Sequence, residues 1–166
     1  MNSPGTMIRR AEPRDLAAVG RLGARLLRAH HAFDRLRFMA PHGNTEEGYA
    51  WFLGTQLRRD DAVVFVAERA GEVVGYADAG VEPQSLKELR EEAGFIHDVY
   101  VDDAVRGGGI ATALIEAAAE WLTGRGMPRM VLWTAASNDA ARRLFERLGF
   151  RHTMTEMTKE TGVGSI

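Results

Sequence analysis

The chain of 166 residues contains no cysteine. This absence excludes disulfide bonds, thiolate catalysis and zinc sites built on cysteine. An excess of positive charge is also missing, because 21 basic residues stand against 23 acidic ones and leave a formal net charge of −2. Proteins that bind nucleic acid through its phosphates usually carry a strongly basic surface. We therefore expect no nucleic-acid partner.

Long apolar runs are absent as well, and no stretch approaches the roughly 20 residues that a membrane-spanning helix needs. The first residues, MNSPGT, lack the basic and apolar regions of a signal peptide. We therefore expect no membrane partner and a cytoplasmic location.

The contents of 45% hydrophobic and 27% charged residues are ordinary for a globular protein. The length favours a single domain over residues 1–166, with 1–6 and 161–166 as loose tails.

Hydrophobic periodicity divides the chain into alternating helical and extended segments. Helices are predicted over residues 14–29, 45–59, 110–125 and 137–150, and strands over 7–11, 62–69, 73–81, 95–101, 129–135 and 151–160. Residues 85–94 form a charged connection. The pattern predicts a mixed α/β domain with about six or seven strands and about four helices.

Three consecutive glycines, Gly107 to Gly109, stand directly before the strongest helical segment, in VRGGGIATALIEAAAEWL. Glycine costs backbone entropy on folding, but it lets a backbone approach phosphate oxygens closely at a helix N-terminus. A P-loop requires a lysine after the glycines, and none follows here. A dinucleotide-binding fingerprint requires a third glycine where Thr112 stands, in a first βαβ unit rather than past the middle of the chain.

Arg106, Gly109 and Ala111 spell R-x-x-G-x-A, and with this motif the sequence resembles the GCN5-related N-acetyltransferases. A second segment, NDAARRLFERLGF, resembles the family's N-x-x-A-x-x-L-Y-E-K-x-G-F signature. The two motifs lie at the expected separation, and the resemblance covers residues from about 62 to 158. It implies the acyl-CoA N-acyltransferase fold of this family, with a mostly antiparallel mixed sheet flanked by helices.

In that family the first motif binds the pyrophosphate of acetyl-CoA through loop amides and the helix N-terminus. The resemblance therefore implies acetyl-CoA as cosubstrate and no metal. The implied binding residues are the backbone of Val99, Tyr100 and Val101 for the amide arm, Arg106, Gly107, Gly108, Gly109, Ile110, Ala111 and Thr112 for the pyrophosphate, Asn138 near the pantetheine, and Phe145. Arg106 either adds charge or orients the loop. Asn138 is also a candidate helix N-cap, and the two roles are compatible.

Phe145 departs from the family pattern, in which many members have a tyrosine at this position that is thought to protonate the departing CoA thiolate. Phenylalanine cannot donate a proton. A thiolate is already a good leaving group, since the reference thiol pKa is about 8.5, so water or another donor can suffice. The alternative is a catalytically degenerate module that binds acyl-CoA as a sensor or interaction domain.

Acetyl transfer to an amine needs a base, and the segment FIHDVYV lies on the strand that flanks the acetyl group in the resembled family. Asp98 is the preferred base, acting directly or through water, and His97 is the second candidate. Neighbours on a regular strand point to opposite faces, so we expect only one of them in the cleft unless a bulge intervenes. The Val101 amide is a candidate donor to the thioester oxygen.

The sequence thus predicts an acetyl-CoA-dependent N-acetyltransferase that uses direct transfer in a ternary complex, because no cysteine is available to carry the acetyl group. The acceptor is expected to be a primary amine, preferably of a small molecule, and a homodimer is possible by resemblance. His30 and Asp34 stand at i and i+4 and invite a metal hypothesis, but two ligands do not make a site.

Overall fold

The protein is built on one five-stranded sheet that helices cover on both faces. The computed structural model describes residues 5–164. The strands are β1 (Thr6–Arg10), β2 (Ala62–Arg69), β3 (Glu72–Glu82), β4 (Ala93–Val101) and β5 (Met130–Leu132), and the helices are α1 (Leu16–Phe33), α2 (Thr45–Gln56), α3 (Ile110–Gly124) and α4 (Asp139–Arg147). Strands follow chain order across the sheet and pair antiparallel, except that β5 is parallel to β4. The mixed α/β class and the mostly antiparallel sheet are confirmed.

Alternation along the strands divides the hydrophobic core into two layers, because successive side chains point to opposite faces of the sheet. One layer joins the sheet to α1 and α2 and contains Val19, Leu22, Leu53, Val64, Val66, Tyr76 and Tyr100. The other joins it to α3 and includes Val63, Ala79, Ile96, Ile115, Ala118 and Leu122. The helices α1 and α2 therefore lie over one face of the sheet, and α3 lies over the other.

Two glycines let α1 and α2 approach each other closely. A Cβ at Gly20 would overlap the backbone of α2 at Glu46, and a Cβ at Gly23 would overlap the ring of Tyr49. The small residues on α1 thus create the space that the Tyr49 side chain occupies. This contact holds Tyr49 above the first face of the sheet.

The strands β4 and β5 pair only at their beginnings, where Gly94–Ile96 stand opposite Met130–Leu132. β4 continues for five further residues, 97–101, which have no partner on β5 within the described part of the chain. Because the neighbouring strand ends, the sheet opens into a cleft along this edge of β4.

A bulge interrupts the pairing of β3 with β4. Asp78 stands opposite Asp98, whereas the next residue, Ala79, stands opposite Ile96. His97 is therefore an extra residue on β4 without a counterpart on β3. Bulges of this type bend the strand and redirect the side chains next to them.

The helices on the two sides of the cleft end as their sequences predict. Gly126, with φ 78°, follows α3, and Gly149, with φ 89°, follows α4. The N–H of Phe150 donates to the Phe145 carbonyl at 3.0 Å, which closes the last turn of α4.

No helix in residues 5–164 is both long and apolar enough to cross a membrane.

The prediction of six or seven strands is wrong for the described residues 5–164, in which the sheet has five strands and residues 151–160 form none. Alternation states which side chains share a face, but a strand also needs a neighbouring edge for its backbone groups. Residues 151–160 are exposed throughout, and β5 is shorter than the predicted 129–135. Of the predicted tails, residues 1–4 and 165–166 lie outside the described residues, Thr6 begins β1, and 161–164 form neither helix nor strand.

Candidate active site

The separation of β4 from β5 creates a cleft of about 790 Å³. Its walls come from α1, the loop that follows it, Tyr49 of α2, the second half of β4, the loop before α3, and the beginning of α4. Every residue predicted to bind cofactor or catalyse lines this cleft except Gly108. The sequence-derived site is therefore brought together by the fold at a single place.

The glycine loop forms one end of the cleft. Gly107 has φ 84° and Gly109 has φ 78°, a left-handed conformation that costs other residues roughly 1–2 kcal/mol. Gly109 is the N-cap of α3 and supplies no side chain to cap the helix. The first N–H groups of a helix have no partner within it, and they carry the positive end of the helix dipole. Ile110, Ala111 and Thr112 thus present backbone donors suited to an anion at the cleft.

Arg106 is engaged by the fold rather than extended into the cleft. Its Nε donates to the Val101 carbonyl at 3.0 Å, and Nη2 lies 2.8 Å from the Asp103 carboxylate. Its guanidinium also lies over the Tyr100 ring, at 5.1 Å from the centroid. These contacts favour the orienting role for Arg106, because they join the loop to the end of β4, while its charge remains beside the glycine loop.

The open edge of β4 presents backbone groups of alternate residues. The Asp102 N–H donates to the Val74 carbonyl of β3 at 2.8 Å. Because hydrogen-bonding direction alternates along an antiparallel strand, the groups of Tyr100 also point toward β3, and those of Val99 and Val101 point into the cleft. The Val99 backbone groups and the Val101 N–H are therefore directed toward an extended amide chain in the cleft, whereas the Val101 carbonyl accepts from Arg106. The Tyr100 ring is buried against α1 and α2.

Asn138 and Phe145 line the opposite wall, on and just before α4. The Asn138 side chain accepts a hydrogen bond from the Ala141 N–H at 3.2 Å, so it is the N-cap of α4 and also faces the cleft. Phe145 packs in the layer formed with α3, at 6.0 Å from the ring of Phe150. Its apolar ring supplies a surface but no proton.

His97 and Asp98 both face the cleft, contrary to the expectation for a regular strand. The bulge at His97 is the reason, since it resets the alternation and leaves both side chains on the face of Tyr76 and Glu82. His97 is exposed, lies parallel to the Phe95 ring at 5.6 Å, and its Nε2 lies 2.9 Å from Glu82 Oε1. Asp98 is half-buried and accepts a hydrogen bond from the Tyr76 hydroxyl at 3.0 Å.

Burial raises the pKa of the Asp98 carboxyl above its usual value, and the Tyr76 hydrogen bond and the nearby His97 partly oppose this rise. Burial also raises the pKa of Tyr76, so its hydroxyl remains a proton donor to Asp98. A carboxylate with a raised pKa is a stronger base than an exposed one. Asp98 therefore combines cleft access, a positioned hydrogen bond and increased basicity.

Asp78 is the residue that the sequence reasoning missed. It is 1% exposed, stands directly opposite Asp98 in the sheet, and neither of its carboxylate oxygens has a hydrogen-bond partner within residues 5–164. Burial, followed by the charge of Asp98, raises the pKa of Asp78 to about 8. The available signal was an aspartate within the otherwise apolar strand VVGYADAGV, because a buried acid without a partner is costly.

The metal hypothesis for His30 and Asp34 is not supported by their contacts. His30 lies near the Leu26 carbonyl and the rings of Phe33 and Phe38. The Asp34 carboxylate instead accepts the N–H groups of Leu36 and Arg37. Within residues 5–164, no group of three or more histidine, cysteine, aspartate or glutamate side chains is placed to hold a metal ion.

Arg37, which lines the cleft, takes part in an ion pair with the C-terminal segment. Arg37, in the loop after α1, contacts the Glu156 carboxylate, with Nη2 at 2.9 Å from Oε2. The C-terminal segment 151–160 is thereby joined to the loop that follows α1. Exposed pairs of this kind contribute about 0–1 kcal/mol, so this contact is weak enough to open.

Comparison with known proteins agrees with this architecture. The profile of the acetyltransferase (GNAT) family matches residues 25–150. An uncharacterized N-acetyltransferase of Methanocaldococcus jannaschii is 33% identical over 74% of this chain and 52% of its own length. The mycothiol acetyltransferase of Amycolatopsis mediterranei is 34% identical over 68% of this chain and 35% of its own length. The chain thus spans about half, or less, of these two relatives.

A solved structure of an aminoglycoside N-acetyltransferase in complex with CoA has the same fold. It superposes with a TM-score of 0.76 at 21% identity and covers 95% of each chain. That likeness establishes the fold, while the profile match over residues 25–150 covers most of the chain and establishes the family. The chain belongs to the acetyltransferase (GNAT) family.

Proposed function

We propose that this protein is an acetyl-CoA-dependent N-acetyltransferase that acetylates a primary amine of a small molecule by direct transfer in a ternary complex. The observation that carries the proposal is the placement of a basic carboxylate, Asp98, in the same cleft as the glycine loop and the N-terminus of α3. One end of the cleft suits a phosphate anion and the other suits an ammonium group. Their separation along β4 suits a long, extended cosubstrate.

The donor set fits the CoA part of the cosubstrate. Gly107 and Gly109 expose loop amides without a Cβ, α3 contributes an N-terminus without a side-chain cap, and Arg106 adds a positive charge beside them. Val99 and Val101 then offer backbone groups along the open edge of β4. Acetyl-CoA supplies an activated acetyl group, and these residues orient it toward Asp98.

Asp98 acts as the general base in this scheme. A free alkylamine is mostly protonated at neutral pH, so the ammonium group must lose a proton before its nitrogen attacks. Asp98 accepts that proton, a C–N bond forms at the acetyl carbon, the C–S bond breaks to release the thiolate, and the nitrogen passes its second proton to water. We assign the Val101 N–H to hold the carbonyl oxygen during attack. Because Phe145 carries no proton, we assign protonation of the thiolate to water.

A small acceptor is favoured by the names of two relatives. A mycothiol acetyltransferase and an aminoglycoside N-acetyltransferase, two relatives with this fold or sequence, act on small molecules that bear amines. We also propose a homodimer, supported by the exposed apolar side chains of Trp133, which follows β5, and of Met154 and Met157 in the C-terminal segment. Light scattering of the purified chain tests the dimer.

Thiol release measures the proposed activity directly. The chain has no cysteine, so a thiol-reactive dye reports only the CoA that the reaction liberates. Acetyl-CoA is mixed with an aminoglycoside, a polyamine, an amino acid and a peptide with a free N-terminus. We expect amine-dependent release with at least one small amine, and mass spectrometry then identifies the N-acetyl product.

A second candidate function is favoured by one observation, the absence of a proton-donating side chain at Phe145. In that case the protein is a degenerate module that binds acyl-CoA without turnover. Calorimetry with CoA separates the two candidates. Tight binding with no release for any amine supports the module, whereas release restored only in Phe145→Tyr identifies the missing donor as the cause.

A further inference from the structure

Two carboxyl groups face each other in the sheet beneath α1 and α2. Asp78 of β3 and Asp98 of β4 are direct cross-strand partners, immediately before the bulge at His97. Because the Asp102 N–H donates to Val74, Asp78 and Asp98 continue the hydrogen-bonded register of this pair of strands, in which Cα atoms stand about 5.5 Å apart. Their side chains project from the same face, so the two carboxyl groups are neighbours.

The two acids differ in environment. Asp78 is 1% exposed, and within residues 5–164 neither of its oxygens has a hydrogen-bond partner. Asp98 is half-buried, reaches the cleft, and accepts a hydrogen bond from Tyr76. A hydrogen bond donated to a carboxylate favours its charged form, and burial without a partner favours the neutral form. The proton of such a pair is therefore expected on Asp78.

We propose that Asp78 and Asp98 share a single proton, which resides on Asp78, so that Asp98 carries the one negative charge of the pair. Asp78 is then a positioning residue that acts through Asp98. As a neutral acid it keeps a second negative charge out of the sheet, and this leaves Asp98 ionised and able to accept a proton. This role rests on the proposed function, in which Asp98 is the general base.

Other charged and titratable groups face the pair from every element packed against it. They are His30 of α1, Tyr49 of α2, Arg59 after α2, Tyr76 and Glu82 of β3, and His97 of β4. Arg59 lowers the pKa of Asp78, but its guanidinium is bonded to Asp61, with Nε at 2.9 Å from Oδ1. Glu82 raises the pKa of Asp78 and is itself paired with His97. No cation among these groups contacts Asp78, so Asp98 remains its dominant charged neighbour.

Carboxyl ¹³C NMR of the free protein tests the shared proton. The aspartate Cγ atoms are labelled and titrated from pH 4 to 10, and the Asp78 and Asp98 signals are assigned from Asp78→Asn and Asp98→Asn. We expect the Asp78 signal to titrate far above the ordinary range of an aspartate and to move to lower pH in Asp98→Asn. In Glu82→Gln it should move in the same direction by less, because Glu82 is the weaker influence.

An Asp78 signal that titrates in the ordinary range, or that is unchanged in Asp98→Asn, would overturn the proposal. The titration of Asp98→Asn can still overturn the proposal if Asp78→Asn does not fold. The pH profile of kcat/KM gives a second readout, in which the wild type shows an inflection near the Asp78 midpoint that is lost in Asp78→Asn. Identical profiles would also contradict the shared proton.

The NMR titration uses no substrate, so it separates this inference from the proposed function. If no amine is acetylated but the Asp78 midpoint responds to Asp98→Asn, the pair stands and the assigned reaction fails. If an amine is acetylated but the midpoint does not respond, the reaction stands and Asp78 has no part in it.

Discussion

The two ends of the cleft are built in different ways. The end proposed to bind phosphate, hereafter the phosphate end, is a continuous stretch, Arg106 to Thr112, which uses backbone amides, a helix terminus and left-handed glycines. The end proposed to bind the amine, hereafter the acceptor end, is assembled from side chains on α1, α2, β3 and β4, and its two acids meet across the sheet. A site made of local backbone geometry tolerates an exposed position. A site made of buried acids depends on the packing around it, since burial sets their protonation.

The largest expected effect comes from removing the base at the acceptor end. Asp98→Asn leaves the shape of the cleft but cannot accept a proton, so kcat should fall by about 10²–10⁴-fold, the usual range for loss of a general base. Steady-state thiol release measures the change, with Asp60→Asn as a matched substitution in an exposed turn. Unaltered kcat and pH profile in Asp98→Asn would remove Asp98 from the mechanism.

A second effect concerns the free energy of unfolding of the protein, which the buried Asp78 at the acceptor end makes dependent on pH. The pKa of Asp78 is about 8 in the folded protein and near 3.8 when unfolded, so between these values only the folded state keeps the proton. Stability must therefore fall as pH rises through this window, by about 1.4 kcal/mol per pH unit. Urea unfolding should show that, between pH 5 and pH 7, the free energy of unfolding of the wild type falls by roughly 2–3 kcal/mol more than that of Asp78→Asn. Parallel curves for the two proteins would contradict the raised pKa.

A smaller effect is expected at the phosphate end. Gly107→Val places a branched side chain at φ 84° in the glycine loop, and Gly126→Val does the same at φ 78° beyond the other end of α3. Neither position has an atom within 4 Å of an added Cβ, so the two substitutions are matched in strain and space. Both should cost about 1–2 kcal/mol of stability, but only Gly107→Val should weaken CoA binding, by about tenfold. Equal CoA affinity in calorimetry would separate this loop from the cofactor.

The smallest effect tests how the acceptor end is tuned. Tyr76→Phe removes the hydroxyl that donates to Asp98 and thus the contact that favours its charged form. The pKa of Asp98 should rise further, and the acidic limb of kcat/KM should move upward by about one pH unit, with the alkaline plateau as an internal reference. A limb that stays in place would show that Tyr76 serves packing alone.

The backbone structure of the phosphate end could be predicted from the sequence because it depends on neighbouring residues. The motif from Arg106 to Ala111 and the helix that follows it depend on residues within one or two turns of each other. The cap at Asn138 likewise depends only on the first turn of its own helix, α4. The sequence could not predict which backbone groups of β4 point into the cleft. Only the hydrogen bond between the Asp102 N–H and the Val74 carbonyl shows that those of Val99 and Val101 do so. The C-terminal prediction of a strand was wrong for a related reason, since alternation cannot supply a pairing edge.

By itself, the sequence determined the helix and strand order up to α4, the glycine loop and the two motifs of the family. Short-range forces govern these features: hydrophobic periodicity, helix capping and the backbone freedom of glycine. Tertiary structure alone decided that β4 and β5 diverge, that His97 forms a bulge, and that Asp78 lies opposite Asp98. Those outcomes depend on contacts between residues distant in the chain. Burial then raises the pKa of both acids, which no local pattern encodes.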